Sequence, residues 1–146
     1  MLEQILRYIQ EKYDPLSIIL YGSYADGTNN LNSDFDALVI SSDHECSHDT
    51  SLVEGIQLDV FIYPQAYFET DYPCADFVQI FDGRILADRN GLGKKLQADV
   101  QAYLQNRPLK SDAEIQASID WCGKMLLRAK RGDCEGMFRW HWVLID

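Results

Sequence analysis

Two apolar runs of strand length, residues 35–40 and 56–62, each carry acid where a fold must find room for it. Asp34 and Asp36 flank Phe35 at the start of the first run, and side chains two apart on a strand point to the same face, so two carboxylates converge. The second run reads Ile-Gln-Leu-Asp-Val-Phe-Ile, with Asp59 at its centre, where an unpaired charge would be costly to bury. A plain water-facing strand does not account for it, because Gln57 and Asp59 would face solvent while Phe61 on the same face would not. If the two strands are neighbours, three carboxylates form one cluster, and like charges at such range stay ionised together only when a metal compensates them. Mg²⁺ suits such a site, since it takes oxygen ligands and keeps positions open for water and phosphate.

Upstream, the short apolar stretch 17–21 delivers the chain to Gly22 and Ser23. A residue without a Cβ lets the backbone approach a phosphate closely, and Ser23 adds a hydroxyl donor. No Gly-Lys-Ser/Thr follows, so this is not a Walker A loop. A Gly-Ser after a strand is ordinarily only a turn, and Asp-x-Asp often merely flanks a strand. Their joint occurrence with Asp59 is what points to a phosphate cradle beside a divalent-metal site.

Gly22-Ser23, a spacer of ten residues, Asp34-x-Asp36 and then Asp59 in a hydrophobic strand together resemble the nucleotidyltransferase superfamily. DNA polymerase beta, the aminoglycoside nucleotidyltransferases and the minimal nucleotidyltransferases of prokaryotes belong to it. Tyr21-Gly-Ser-Tyr-Ala-Asp-Gly27 and the Ser33 before Asp34 match the extended pattern, with Gly27 closing the short helix that Ser23 opens; Asp26 departs from it, since relatives often carry a basic or small residue there. The resemblance implies an α+β (α/β) fold in which a small mixed sheet carries the acids, flanked by helices. It implies a catalytic domain over residues 1–108 and a C-terminal helical segment over 109–146.

It also implies a chemistry: transfer of an NMP, AMP from ATP foremost, to a hydroxyl acceptor with release of pyrophosphate. Asp34 and Asp36 would hold Mg²⁺ (or Mn²⁺) ions that bridge the triphosphate against Gly22 and Ser23. Asp59 would complete the second metal site and help deprotonate the acceptor. Arg84, Arg89, Lys94 and Lys95 are the candidate phosphate partners. The acceptor is expected to be a small molecule such as an antibiotic; the alternatives are a HEPN-type partner protein and a non-catalytic binding subunit that lends a Trp140/Trp142 surface to a partner. Intact Asp34, Asp36 and Asp59 argue against the last, because a retired site has no reason to keep costly charge together.

Bulk properties narrow the partners. The 146 residues are 47% hydrophobic and carry 23 acids against 13 bases, a net charge of −10, with no Lys/Arg run longer than two. Long nucleic acid is therefore disfavoured, since phosphate contacts need clustered cations. No signal peptide or apolar span of about 20 residues is present, which makes the cytoplasm the expected setting. Cys46, Cys74, Cys122 and Cys134 are spaced too irregularly for a zinc ribbon and are expected as free thiols. His44-Glu45-Cys46-Ser47-His48 holds metal-ligand types, but residues 41–51 read as a solvated, hairpin-like connection between the two acid-bearing strands.

Elsewhere, Leu2, Ile5, Leu6, Ile9 and Tyr13 lie at helical spacing up to Asp14-Pro15. Residues 64–73 read as a short helix or irregular crossing, and residues 77–81 and 84–87 bracket Asp82-Gly83 as a small hairpin. A helix from Leu92 stops before Pro108. Ser111-Asp-Ala-Glu114 is a capping box opening a helix with Ile115, Ile119, Cys122, Met125 and Leu126 on one stripe. A last helix from Asp133 carries Met137, Phe138, Trp140, Trp142, Val143, Leu144 and Ile145. That apolar end suggests either the start of a substrate or partner domain in a longer protein, or a surface that packs on the core or on a second subunit in a homo-oligomer.

Overall fold

A computed structural model describes residues 2–145, with the side chains of Trp142, Leu144 and Ile145 outside the described set. The chain divides between Asn106 and Arg107 into two compact units. In the first, α1 (Leu2–Tyr13) leads into β1 (Pro15–Leu20), a single turn α2 (Ser23–Asp26), β2 (Phe35–Ser41), β3 (Ser47–Asp49), β4 (Leu52–Val53) and β5 (Ile56–Pro64). Two 3-10 segments, Gln65–Glu69 and Cys74–Ile80, precede β6 (Arg84–Asp88) and α3 (Leu92–Gln105). The strands form one six-stranded sheet in the order β3-β5-β2-β1-β6, with β4 paired to β5. Only β2 and β5 run parallel, so the sheet is mixed, as the resemblance implied.

Strand alternation sorts the sheet into two faces. Ile18, Leu20, Phe35, Ala37, Val39, Leu58, Val60 and Ile62 form one core with Ile5 and Ile9 of α1. Ile19, Leu38 and Ile40 form the other with Phe68, Phe77, Ile80, Leu96 and Val100. Because β1 and β2 are buried on both faces, they read as continuous apolar runs. Asp36 alternates with Ala37 and so belongs to the second face, as does Asp59 between Leu58 and Val60.

Two expectations need correction. Residues 41–51 are not a hairpin-like connection, because β2 and β5 are parallel neighbours, and parallel strands need a crossover. The chain instead lays down β3 and β4, each antiparallel to β5. Glu54 and Gly55, both at positive φ (53° and 82°), make the tight turn between β4 and β5. Nor do residues 77–81 form a hairpin strand. They lie largely in the 3-10 segment Cys74–Ile80, where Phe77 and Ile80 fall three apart and are both buried, while β6 pairs with β1.

An acid at the end of β3 ties that edge to α1. Asp49, 6% exposed, accepts hydrogen bonds from Tyr13 Oη (2.6 Å), Tyr8 Oη (3.0 Å), Lys12 Nζ (3.1 Å) and the Ser51 amide (2.9 Å). Burial alone would push its carboxyl up; bonds from Ser51, Tyr13 and Lys12 outweigh that and hold it well below the usual carboxylate range. A carboxyl whose folded pKa is depressed stabilises the fold above its unfolded value near about 4, and loses that contribution as pH falls through the folded value. Asp49→Asn is therefore expected to lower stability by about 2 kcal/mol at pH 7, with the gap to wild type shrinking as denaturation is followed below about pH 4. A gap that stays constant down to acid pH would contradict this account.

In the second unit, α4 (Asp112–Ala129) and α5 (Cys134–Ile145) pack on each other. The capping box forms: Ser111 Oγ accepts from the Glu114 amide and the Glu114 carboxylate accepts from the Ser111 amide (2.8 Å). On α4, Met125 is buried whereas Ile115 and Ile119 are exposed, so the apolar stripe is covered only in part. Met137, Phe138 and Trp140 are exposed rather than core residues. The expectations placed on the side chains of Trp142, Leu144 and Ile145 lie outside the described residues. Among the described residues, no helix is long and apolar enough to cross a membrane.

Candidate active site

The Gly22 turn is built against β2. Tyr21 N–H donates to Asp36 C=O (3.1 Å), and Gly22 C=O accepts from the Ala25 amide (2.9 Å) to open α2. Gly22 has φ 65° and ψ −158°, a conformation essentially restricted to glycine. A Cβ built there would collide with the Asp36 carboxylate. The glycine thus places bare backbone against the acid, which is what a site joining a phosphate to a metal ligand requires. Ser23 is the first residue of α2, and Gly27 ends it in the left-handed conformation, as the motif implied.

Parallel pairing sets Asp36 directly opposite Asp59. Asp34 precedes β2 rather than lying within it and is exposed, so the alternation rule that was to align it with Asp36 does not govern it. It is nonetheless close enough to act on Asp36: burial, then Asp59, then Asp34 push the Asp36 carboxyl above its ordinary value. Burial, followed by the Asp59 and Asp36 charges, likewise raises the phenol of Tyr21, which is 8% exposed.

Among the described residues, no lysine or arginine pairs with Asp34, Asp36 or Asp59, and no three His, Cys, Asp or Glu side chains are already gathered at ion-holding range. The acids are aligned, not closed. An all-carboxylate set with surplus negative charge, no lysine or arginine partner among the described residues and a glycine cradle beside it fits a hard divalent cation.

Two residues of this neighbourhood were not placed beside the acids by the sequence reading. Tyr21 reads as the last residue of an apolar strand, yet it lies near both Asp36 and Asp59. His48 Nε2 meets Asp59 Oδ1 at 2.5 Å, and its ring stacks on Phe61 with centroids 4.3 Å apart and planes 4° from parallel. His44, by contrast, packs edge-on against Tyr13, so the two imidazoles serve different neighbours. The turn residues Glu54-Gly55 were the available clue, since a tight turn before β5 implies strands running back along it.

The candidate phosphate partners separate by position. Arg89 Nη1 bonds Asp14 Oδ1 (2.9 Å), and β1 residue Ser17 is opposite Asp88, which places Arg89 at the far end of β1 from Gly22. Lys95 is engaged by Asp99 (2.9 Å) and Tyr72 (3.3 Å), and the Lys94 amide by Asp88. Arg84, opposite Leu20 in register, is the one of the four near the Gly22 end.

Residues 2–106 match the nucleotidyltransferase domain family, and the chain belongs to it. It is accordingly a nucleotidyltransferase, an enzyme of the class that moves a nucleotidyl group from a nucleoside triphosphate. No curated protein sequence matches it. Among solved structures it is similar to a toxin–antitoxin crystal structure with AMP-PNP, at 20% identity and TM-score 0.47, covering 81% of this chain and 94% of that one. It is also similar to a nucleotidyltransferase-like protein from Exiguobacterium sibiricum 255-15, at 19% identity and TM-score 0.46; the match covers 99% of this chain and 54% of the other, about half its length. At those values neither likeness bears on what this chain acts upon.

Proposed function

We propose that the protein transfers AMP from ATP to a hydroxyl of a small molecule, in the cytoplasm, with Asp34, Asp36 and Asp59 as the metal-holding acids and Gly22 and Ser23 as the phosphate cradle. The observation that carries this is the register of Asp36 opposite Asp59, with Gly22 pressed against Asp36 and, among the described residues, no lysine or arginine paired with either acid. Bound Mg²⁺ would supply charge neutralisation on the triphosphate as pyrophosphate departs.

The chain's own residues do the rest. Gly22 would admit phosphate oxygens to the backbone, Ser23 would offer its hydroxyl, and Asp59 would help take the acceptor proton. In the reaction the acceptor oxygen bonds to the α-phosphorus, the bond from that phosphorus to the bridging oxygen breaks, and pyrophosphate leaves. Holding the two reactants together supplies much of the rate. A half-exposed Asp59 keeps the acceptor side open to molecules from solution, and the net charge of −10 disfavours a polynucleotide among them. Residues 109–146, which we assign as a segment that shapes acceptor or partner binding, do not contribute to the acids.

The test is transfer from α-labelled ATP, then the other nucleotides, with Mg²⁺ in host-cell lysate, resolving labelled protein from labelled small molecules. Label on a small molecule is expected. Label on a protein band would replace the acceptor class, and no label with any nucleotide would overturn the reading.

A further inference from the structure

We propose that His48 is a positioning residue for Asp59, holding one carboxylate oxygen so that the other is left for an ion. The proposal rests on the reading of Asp59 as a metal-holding acid. A carboxylate can only accept, so His48 Nε2 carries the hydrogen and donates it to Oδ1, at 2.5 Å. Such a bond orients a ligand only if the donor is itself held, and here it is. His48 stands opposite Phe61 in the β3–β5 register, and its imidazole lies flat on the Phe61 ring. Phe61 is two residues beyond Asp59 on the same strand, so both groups that meet at Oδ1 are referred to one stretch of β5. A histidine touching Asp59 alone would follow the carboxylate as it turned; one stacked on Phe61 constrains it.

The contact is also not what ties the edge strand to the rest of the unit. Asp49, next to His48 on β3, already ties that strand to α1, and the His48 side chain is 42% exposed. A group that the edge strand does not need for anchoring, yet which reaches the acid opposite Asp36, is placed for function. Outer hydrogen bonds of this kind fix ligand orientation, and losing one weakens ion binding by about 10–100-fold.

The experiment measures binding of Mn²⁺ alone, by the electron spin resonance of the free ion, to wild type, His48→Ala, His48→Gln and Asp36→Asn, followed by Mg²⁺-dependent transfer. His48→Ala is expected to bind Mn²⁺ about 10-fold more weakly and to lose a similar factor in kcat, with KM for ATP little changed. His48→Gln, whose amide keeps a donor, is expected to recover most of both. If His48→Ala binds Mn²⁺ as wild type does while Asp36→Asn does not, the positioning role is wrong and the acid site stands. Tighter binding by His48→Ala would make the contact a competitor of the ion and also overturn it, as would a glutamine variant no better than alanine. Undiminished Mn²⁺ binding by Asp36→Asn would bring down the acid site and this proposal together.

Discussion

Asp36→Asn is expected to reduce nucleotidyl transfer by about 10³-fold while raising the melting temperature of the metal-free protein. The first effect follows from removing the one acid that touches both halves of the proposed site, Gly22 on one side and Asp59 across the sheet. Metal-borne charge stabilisation is worth several kcal/mol, and each 1.36 kcal/mol is about tenfold in rate. The second follows from the direction of the Asp36 shift: burial, Asp59 and Asp34 all disfavour its charged form. A carboxyl raised in the folded state favours folding below its unfolded pKa, and that contribution is lost as pH rises through the folded one. At neutral pH without metal, Asp36 therefore opposes the fold, and asparagine removes the opposition. Melting in the presence of a chelator, scanned from pH 4 to 8, should show the variant pulling ahead of wild type as pH rises. A variant that transfers normally would remove Asp36 from the mechanism; one that melts earlier at every pH would show that the carboxylate is wanted for packing.

The framework around these acids was legible because it rests on periodicity. The α1 residues Ile5, Ile9 and Tyr13 recur four apart and are buried as that spacing requires. The strand carrying Asp36 is buried on both faces of the sheet and the one carrying Asp59 is buried along one face, and apolar strands bearing acid are hard to explain except as neighbours. That reasoning brings Asp36 and Asp59 together without depending on strand direction, so misjudging the direction did no harm to the pairing.

Direction mattered for what lies between. Residues 42–51 contain no apolar alternation, since β3 is a three-residue edge strand whose Ser47 and His48 face solvent on at least one side and whose Asp49 is buried through hydrogen bonds rather than apolar area. A pattern test built on hydrophobicity cannot see such a strand, and His48 was read as part of a solvated connection. The segment 77–81 failed for the opposite reason. It has strand-like composition, but burial of Phe77 and Ile80 against Leu96 and Val100 is met by a turn of three residues, and tertiary packing overrode local propensity. Asp34 shows a third limit: it flanks the run that becomes β2 and lies outside it, so its position is set by the loop 28–34 and not by the pleat.

Gly22→Ala should be the most damaging single-methyl change in the catalytic unit. At φ 65° and ψ −158° an L-residue is strained by about 1–3 kcal/mol, and the added methyl also has nowhere to go, because the Asp36 carboxylate occupies its position. Either the turn rotates away from β2, breaking the Tyr21 to Asp36 backbone bond, or Asp36 leaves its place opposite Asp59. Both routes separate the phosphate cradle from the acids, and misplacement of about 1 Å costs on the order of 10²-fold in rate. Gly27→Ala is the matched control: Gly27 also has positive φ, but a Cβ there meets nothing within 4 Å. Both variants carry backbone strain, milder at Gly27, whose φ 81° and ψ 15° lie in the left-handed region, and only Gly22→Ala adds the collision. A loss of stability in both, larger in Gly22→Ala, with transfer reduced about 100-fold in that variant alone would locate the effect at Asp36. Equal activity in both would mean that the glycine is kept for the turn and that the backbone's approach to the carboxylate has no part in binding phosphate.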